Sequence, residues 1–290
     1  MHVLFHVLRR VEVDDPGDGR DVQAAGGQVG GNQQLQATGA EGAHHGISLA
    51  LAQAHETARR IGAAIVRALH AEGMKVVVHY RASAAEARAL EAELENTRAG
   101  SVVLASGDLC DAATPSALIQ TATRHFGRLD LLVNNASSFY PTPLGKTSAA
   151  QFDDLIGTNL KAPYFLAQAA ADALTNSQGA IINIADLYAD RPMKSYPVYS
   201  TAKAALVSLT RSLARELAPA VRVNAIAPGV ILWPEGDSNE HAQHRIIART
   251  PLKRMGTPAD IQSAVLFLAR DAKFVTGQVL YIDGGRSIVA

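Results

Sequence analysis

Two side chains suited to proton transfer stand four residues apart in the segment Tyr199-Ser-Thr-Ala-Lys203. In a helix this spacing places both on one face, where the ammonium can lower the pKa of the phenol and bind a ribose hydroxyl. A carboxyl group, Asp186, stands thirteen residues before Tyr199, at the end of an apolar run. A phenol, an ammonium and a carboxyl group brought together can hold a ligand and move a proton to it.

Apolar, β-rich runs predict the strands that position these residues, and longer stretches between them predict helices. The predicted strands are 75–79, 101–105, 129–133, 180–184, 221–226 and 279–282; the predicted helices are 59–71, 84–97, 115–126, 151–174, 198–217 and 258–269. Alternating strands and helices predict an α/β fold with a Rossmann-type, doubly wound parallel sheet in a single domain. Asp186 then points into the crevice where such sheets bind ligands.

The N-terminal segment differs in composition from the rest of the chain. Residues 1–57 contain no Lys, Tyr or Trp, and six glycines lie between Asp14 and Gly31, so this segment cannot build a core. We expect residues 1–48 to be an atypical extension, disordered or misassigned, and residues 49–290 to form the Rossmann-type domain. The central strand is assigned to residues 49–54 (LALAQA), although this segment has no β-branched residue.

Composition limits the classes of partner. Lysine plus arginine equals aspartate plus glutamate at 27 each, so no net charge attracts nucleic acid or an anionic membrane. No apolar run reaches the roughly 18 residues that span a bilayer. A single cysteine, Cys110, excludes an internal disulfide. We expect a cytoplasmic protein that binds small molecules.

Several motifs together resemble the short-chain dehydrogenase/reductase family, and within it the pteridine reductases, from residue 58 to the C-terminus. Besides the Tyr-x3-Lys pair, these are the segment NNASSFYPTP beginning at Asn134, the segment GTNLKAPYFL that contains Asn159, and the Asp283-Gly-Gly ending. Most family members carry a serine where this chain has Asp186, and an aspartate there resembles the pteridine reductases. The resemblance implies a catalytic set of Asp186, Tyr199, Lys203 and Asn159, with Asn159 supporting a water-linked proton path behind Lys203.

The same resemblance implies the binding residues. The residues expected to contact the cofactor are Arg60, Ile61, His79, Arg81, Ser83, Asp108, Leu109, Asn135, Ala136, Ser137, Tyr199, Lys203, Pro228 and Gly229. Those expected to contact the substrate are Ser137, Phe139, Asp186 and Tyr199. Phe139 is expected to sandwich a flat pteridine ring against the nicotinamide. No metal ion is implied, and the Asp283-Gly-Gly ending commonly accompanies a homotetramer.

The second predicted strand indicates which dinucleotide is used. It ends in His79-Tyr-Arg-Ala-Ser83, without the acidic residue that an NAD enzyme usually offers to the ribose. Arg81, Ser83 and the nearby Arg59 or Arg60 supply cationic and hydroxyl donors that suit a 2′-phosphate. The sequence therefore favours NADP(H).

One motif departs from the family. The family's glycine-rich loop begins Thr-Gly, but counting back from Gly62 the equivalent positions here are His55 and Glu56, followed by Thr57. Glu56 puts a carboxylate where a glycine normally lets the backbone approach the pyrophosphate. The abrupt change at Thr57 suggests that residues 1–57 come from a shifted reading frame or misassigned start, which the intact mass of the native protein would test.

These observations lead to one expected function and two alternatives. The expected function is NADPH-dependent reduction of a dihydropterin or dihydrofolate with a proton from Tyr199; oxidised pterins are further candidate substrates. One alternative is a carbonyl reductase of the same family acting on a 3-oxoacyl, sugar or steroid substrate, for which serine would be expected at position 186. The other is a non-catalytic relative, because the glycine loop is disrupted.

Overall fold

The computed structural model describes residues 61–231 and 240–289, together with the backbone of residues 3–8. Within these residues, seven strands form one parallel sheet. They are β1 Val3–Leu8, β2 Lys75–Tyr80, β3 Val102–Ser106, β4 Leu131–Asn134, β5 Ala180–Ile184, β6 Arg222–Pro228 and β7 Val279–Ile282. Their order is β3-β2-β1-β4-β5-β6-β7, so the winding direction reverses between β1 and β4. The predicted Rossmann-type α/β fold is confirmed.

Helices cover both faces of the sheet. They are α1 at 61–71, α2 Ala84–Thr97, α3 Thr114–Phe126, α4 Ala149–Ile156, α5 Ala162–Ser177, α6 Pro197–Glu216, α7 Glu240–Arg249 and α8 Pro258–Leu266. Buried residues of α1, α2 and α8 form one hydrophobic core against the sheet. Those of α3, α5 and α6 form a second core on the opposite face. Every helix that the structure describes is too short or too polar to cross a membrane.

The central strand is not the segment that the sequence predicted. β1, Val3–Leu8, pairs in parallel with β2 on one side and β4 on the other, so it occupies the position assigned to residues 49–54. That assignment is wrong. The physical reason is strand propensity: VLFHVL contains β-branched and aromatic residues, whereas LALAQA contains neither. Residues 49–54 lie outside the described part of the chain.

Two helical regions differ from what the sequence predicted. The predicted helix 151–174 is interrupted by a π-helical turn, Gly157–Lys161, which separates α4 from α5. A Cβ at Gly157 would lie 2.8 Å from the sulfur of Cys110, so glycine allows this turn to approach the loop after β3. α7 was not predicted, because its sequence EHAQHRIIAR is polar on average.

Candidate active site

The carboxyl ends of β4, β5 and β6 meet at one edge of the sheet, because neighbouring strands are parallel. Asp186 follows β5 by two residues and caps a short 3₁₀ turn, Leu187–Ala189, where its carboxylate accepts the backbone N–H of Tyr188 at 2.9 Å. α6 begins at Pro197, whose fixed φ suits the first helical position, and carries Tyr199 and Lys203. The strand end and the helix start thus supply the three predicted catalytic side chains.

The structure brings Asp186 and Tyr199 into direct contact. The Tyr199 hydroxyl donates a hydrogen bond to Oδ2 of Asp186 at 2.7 Å. Lys203 lies one turn further along α6, and its ammonium donates to the carbonyl oxygen of Ile184 at 2.9 Å. The ammonium is also 5.7 Å from the centre of the Tyr199 ring. The three groups therefore form one connected site at the carboxyl end of β5.

Burial determines the protonation of this site. It raises the pKa of Tyr199 well above its ordinary value, and the adjacent Asp186 carboxylate raises it further. Burial lowers the pKa of Lys203 to about 8, against an opposing effect of Asp186. It also raises the pKa of Asp186, opposed mainly by the Tyr188 N–H and the Tyr199 hydroxyl. Tyr199 is therefore protonated at neutral pH and can act as a proton donor.

The net shift of the Tyr199 pKa is upward in this structure, so any lowering by Lys203 is outweighed. The Lys203 ammonium donates a hydrogen bond to the Ile184 carbonyl oxygen, whereas the Tyr199 hydroxyl donates to the carboxylate of Asp186. Desolvation and the negative charge both disfavour the phenolate. Asp186 as a whole residue is only partly buried. Its carboxyl group, however, is surrounded by protein, and this burial raises its pKa as well.

Asn159 is fully buried in the π-helical turn between α4 and α5. π-helical turns inside helices are frequent at functional sites. The Asn159 side chain contacts the loop after β4: its amide donates to the Ser138 carbonyl at 2.9 Å, and its Oδ1 accepts from the Ser137 hydroxyl at 2.8 Å. These contacts link Asn159 to a predicted substrate residue, and its role in a proton path stays a prediction.

Aromatic side chains form one wall of the site. Phe139 stacks on Tyr196 with the ring centres 4.7 Å apart and the planes inclined by 17°. The same ring meets Tyr199 at 4.7 Å in an edge-to-face geometry of 78°. Tyr188 joins this cluster. Such a wall can hold a flat ring close to the Tyr199 hydroxyl.

The predicted adenosine side of the cofactor site lies at the ends of β2 and β3. The Arg81 guanidinium forms an ion pair with Asp108 at 2.7 Å, and Ser83 is buried at the start of α2. The buried His79 ring lies with Nε2 2.8 Å from the Gly107 carbonyl oxygen, tying the two strand ends together. Leu109 is buried in the core beside α3. A guanidinium and a hydroxyl at this edge fit a ribose phosphate.

The remaining predicted cofactor residues follow β4 and β6 or begin α1. Asn135 is buried, whereas Ala136 and Ser137 are partly exposed at the edge of the sheet. Pro228 ends β6, and a Cβ at Gly229 would lie 2.7 Å from the Cα of Asp283, so glycine allows β6 and β7 to converge. Ile61 is the first described residue of α1, and Arg60 lies outside the described residues.

The structure adds three residues that the sequence reasoning missed. Tyr188 and Tyr196 belong to the aromatic wall, and Arg286, after the Asp283-Gly-Gly turn, contributes a positive charge near Asp186. The density of tyrosines between residues 188 and 199 was a signal that could have identified the first two. No local pattern identifies Arg286, because its approach to Asp186 depends on the folded position of the C-terminus.

A doubly wound sheet that brings a buried Tyr-x3-Lys pair to its ligand-binding edge defines a dinucleotide-dependent oxidoreductase. A family model described as enoyl-(acyl carrier protein) reductase, one of the short-chain dehydrogenase/reductase models, matches residues 56–287. The chain belongs to the short-chain dehydrogenase/reductase family.

Curated relatives extend this comparison. Pteridine reductase 1 of Leishmania tarentolae is 37% identical over 272 residues, covering 80% of this chain and 94% of that protein. The 3-oxoacyl-(acyl-carrier-protein) reductase of Staphylococcus aureus strain N315 is 35% identical over 231 residues, covering 78% of this chain and 94% of that protein. The two identities are close, so overall similarity does not choose between a pterin and an oxoacyl substrate.

The cofactor of the chain is NADP(H), as in the reductases of this family. Among the described residues, Arg81, which also pairs with Asp108, and Ser83 would supply donors to its ribose phosphate. Tyr199 and Lys203 on α6 would contact its nicotinamide ribose. When bound, NADPH supplies the hydride. The positions predicted for the pyrophosphate loop, residues 55–60, lie outside the described residues.

Proposed function

We propose that this chain is an NADPH-dependent pteridine reductase that converts a dihydropterin or dihydrofolate to its tetrahydro form. The observation that carries the proposal is the 2.7 Å hydrogen bond between Tyr199 and Asp186, at the position where most family members have serine. A serine suits a plain carbonyl, whereas a carboxyl group beside the proton donor suits a nitrogen heterocycle. The Phe139 wall beside Tyr199 supports a flat, aromatic substrate.

Each side chain of the site has its own role in this reaction. Phe139 holds the pteridine ring against the nicotinamide, and Tyr199, protonated at neutral pH, delivers a proton to a ring nitrogen. Asp186 orients the Tyr199 hydroxyl, while the Lys203 ammonium stabilises the negative charge that develops on the phenol oxygen. Ser137, whose hydroxyl donates to the buried Asn159, lies beside them at the end of β4.

A comparison of two substrates tests the proposal. We expect NADPH oxidation with dihydrobiopterin to exceed that with an acetoacetyl thioester by at least about tenfold in kcat/KM. We expect Asp186→Ser to lower the kcat/KM for dihydrobiopterin by about 100-fold, because it removes the carboxyl group that orients the proton donor. Asp190→Ser, at an exposed position four residues on, is the control. A wild-type preference for the thioester would contradict the proposal.

The identity to 3-oxoacyl reductases favours a second candidate, reduction of a carbonyl group. Asp186 and Phe139 argue against it, since a carbonyl substrate needs one proton donor and no aromatic wall. A third candidate is a non-catalytic relative, which the substitution of Glu56 in the glycine loop favours. Lack of NADPH oxidation with both substrates, despite folded protein, would support this third candidate.

We also propose a homotetramer. Phe152, Tyr164 and Phe165 on α4 and α5 are 40–49% exposed, and Phe274 is fully exposed before β7. Large exposed aromatic side chains fit contacts with further copies of the chain. Sedimentation equilibrium is expected to give four times the 30.6 kDa mass of the chain, and a monomer at micromolar concentration would exclude this assembly.

A further inference from the structure

The C-terminal segment lies directly against the segment that carries Asp186. The Arg191 guanidinium donates to the backbone carbonyl oxygen of Val289, and the Tyr281 hydroxyl donates to the carboxylate of Asp190. Both bonds join the end of the chain to residues that follow Asp186 by four or five positions. The end of the chain is therefore part of the surroundings of Asp186.

A tight turn holds the backbone of the residues after β7. The Asp283 carboxylate accepts the backbone N–H groups of Gly285 at 2.9 Å and Ser287 at 2.6 Å. Gly285 has a φ of 86°, a left-handed conformation that suits glycine, and the 3₁₀ turn Arg286–Ile288 begins directly after it. The backbone that carries the Arg286 side chain is therefore held on both sides.

Arg286 brings a positive charge and an unused donor to this site. Its Nη1 atom is buried, yet it has no hydrogen-bond partner among the described residues. Burial raises the pKa of both Asp186 and Tyr188, and the positive charge of Arg286 opposes this rise in both cases. An unpaired donor of a charged group is costly to bury, so a negative charge nearby is needed to compensate it. Asp186 is the carboxyl group of this site that can carry one.

Asp186 accepts two hydrogen bonds but forms no ion pair within the described part of the chain. The groups that face it are the backbone N–H of Tyr188, the side chains of Tyr199 and Lys203 on α6, and Arg286 on the C-terminal turn. Two of these groups are cations that act on the carboxyl group through their charge. Arg286 is the one that lies outside the Tyr-x3-Lys motif.

We propose that Arg286 is a positioning residue that keeps Asp186 ionised, so that the carboxylate remains an acceptor and directs the Tyr199 hydroxyl. An ionised carboxyl group can only accept, whereas a protonated one carries a hydrogen and can donate it to the Tyr199 oxygen instead. That reversal would break the orientation that the 2.7 Å hydrogen bond imposes on the proton donor. The inference rests on the proposed function only for the choice of substrate.

The sign of the expected pH dependence follows from the charge. A positive charge favours the ionised form of a carboxyl group, so Arg286 allows Asp186 to stay ionised to lower pH. Removing this charge should raise the pH at which Asp186 takes up a proton. The acidic limb of the kcat/KM profile should move in the same direction. Well above this limb, where Asp186 is ionised with or without Arg286, kcat/KM should change little.

Infrared spectroscopy of the full chain tests the proposal without any substrate. A protonated carboxyl group has a carbonyl stretching band separate from the bands of carboxylates, and the band of Asp186 is the one missing from Asp186→Asn. In Arg286→Met this band is expected to persist to higher pH than in wild type. The same pH dependence in both folded proteins would overturn the inference. Because no turnover is involved, this result is decisive even if dihydrobiopterin is not a substrate and the proposed function fails.

Three further variants separate the charge of Arg286 from a structural role. Arg286→Gln keeps hydrogen-bond donors without the charge and should titrate like Arg286→Met, whereas Arg286→Lys keeps the charge and should titrate nearly like wild type. Arg211→Met removes an exposed charge elsewhere on α6 and should leave the titration unchanged.

The kcat/KM profile for dihydrobiopterin gives the second readout. On the acidic limb, Arg286→Met and Arg286→Gln are expected to lower kcat/KM by about tenfold, and Arg286→Lys is expected to recover most of this loss. Equal losses at every pH, or no recovery in Arg286→Lys, would argue for a purely structural role and against the proposal.

Discussion

Lys203→Met is expected to reduce kcat by about 100-fold or more while making the folded protein more stable at neutral pH. The loss of activity follows from removal of the ammonium beside the proton donor. The gain in stability follows from burial, which lowers the pKa of Lys203 from 10.5 to about 8. That difference corresponds to a penalty of about 3 kcal/mol for the charged form. Losing the hydrogen bond to the Ile184 carbonyl offsets part of this penalty, leaving a net gain of about 1–2 kcal/mol.

The pH dependence of this gain has a definite sign. The folded pKa of Lys203 lies below the unfolded value, so the unfolded chain binds the proton more readily. Above about pH 10.5 the lysine is neutral in both states and carries no penalty; the penalty grows as the pH falls and is complete below about pH 8. In urea unfolding, the free energy of unfolding of Lys203→Met should therefore exceed that of wild type most near neutral pH, and the difference should diminish toward pH 10.

Tyr199→Phe provides the matched control. It removes the proton donor and should also reduce kcat strongly, but it leaves Lys203 buried and charged. We therefore expect no stability advantage that fades with rising pH in this variant. If Lys203→Met proved no more stable than wild type near neutral pH, the buried ammonium would not carry the penalty inferred from its surroundings.

The protonation of the site also bears on the direction of the reaction. A reductase needs Tyr199 as a proton donor, and burial together with Asp186 keeps it protonated. A strongly lowered phenol pKa would instead favour the phenolate, which suits proton removal in the oxidative direction. In this protonation state Tyr199 can supply the proton that the proposed reduction requires.

Most of the sheet was predictable because its strands are short, apolar runs rich in β-branched residues. β5 was predicted with the observed bounds, Ala180–Ile184, and β2, β3 and β4 within two residues. The central strand was not, because parallel pairing between distant segments determines which strand fills a position. Local composition identified residues 49–54 as apolar but gave no information on competition with Val3–Leu8.

The candidate site was also predictable only in part. Spacing alone placed Tyr199 and Lys203 on one face, and the end of an apolar strand placed Asp186 nearby. The hydrogen bond of Asn159 to Ser137 required the π-helical turn, which depends on the contact between Gly157 and the distant Cys110. The raised pKa of Tyr199 likewise depends on burial, which follows from the assembled structure and not from local sequence.

The triple variant His55→Thr/Glu56→Gly/Thr57→Gly is expected to tighten NADPH binding by about 100- to 1000-fold. In the family's motif these positions contact the pyrophosphate, where a glutamate adds like-charge repulsion and blocks close approach of the backbone. Together these effects are worth on the order of several kcal/mol, and each 1.4 kcal/mol is about tenfold in Kd. Fluorescence titration with NADPH measures the change.

Two further variants make this last experiment more specific. Glu56→Gln removes the charge but keeps the side chain, so it should recover the part of the affinity that repulsion costs, while Glu56→Gly should also recover the part that steric blocking costs. Glu72→Gln, at an exposed position beyond α1, controls for a general change in charge. An unchanged Kd in the triple variant would show that residues 55–57 do not hold the pyrophosphate. The phosphate contacts would then have to come from elsewhere between β1 and α1, since β1 ends at Leu8 and the described part of α1 begins at Ile61.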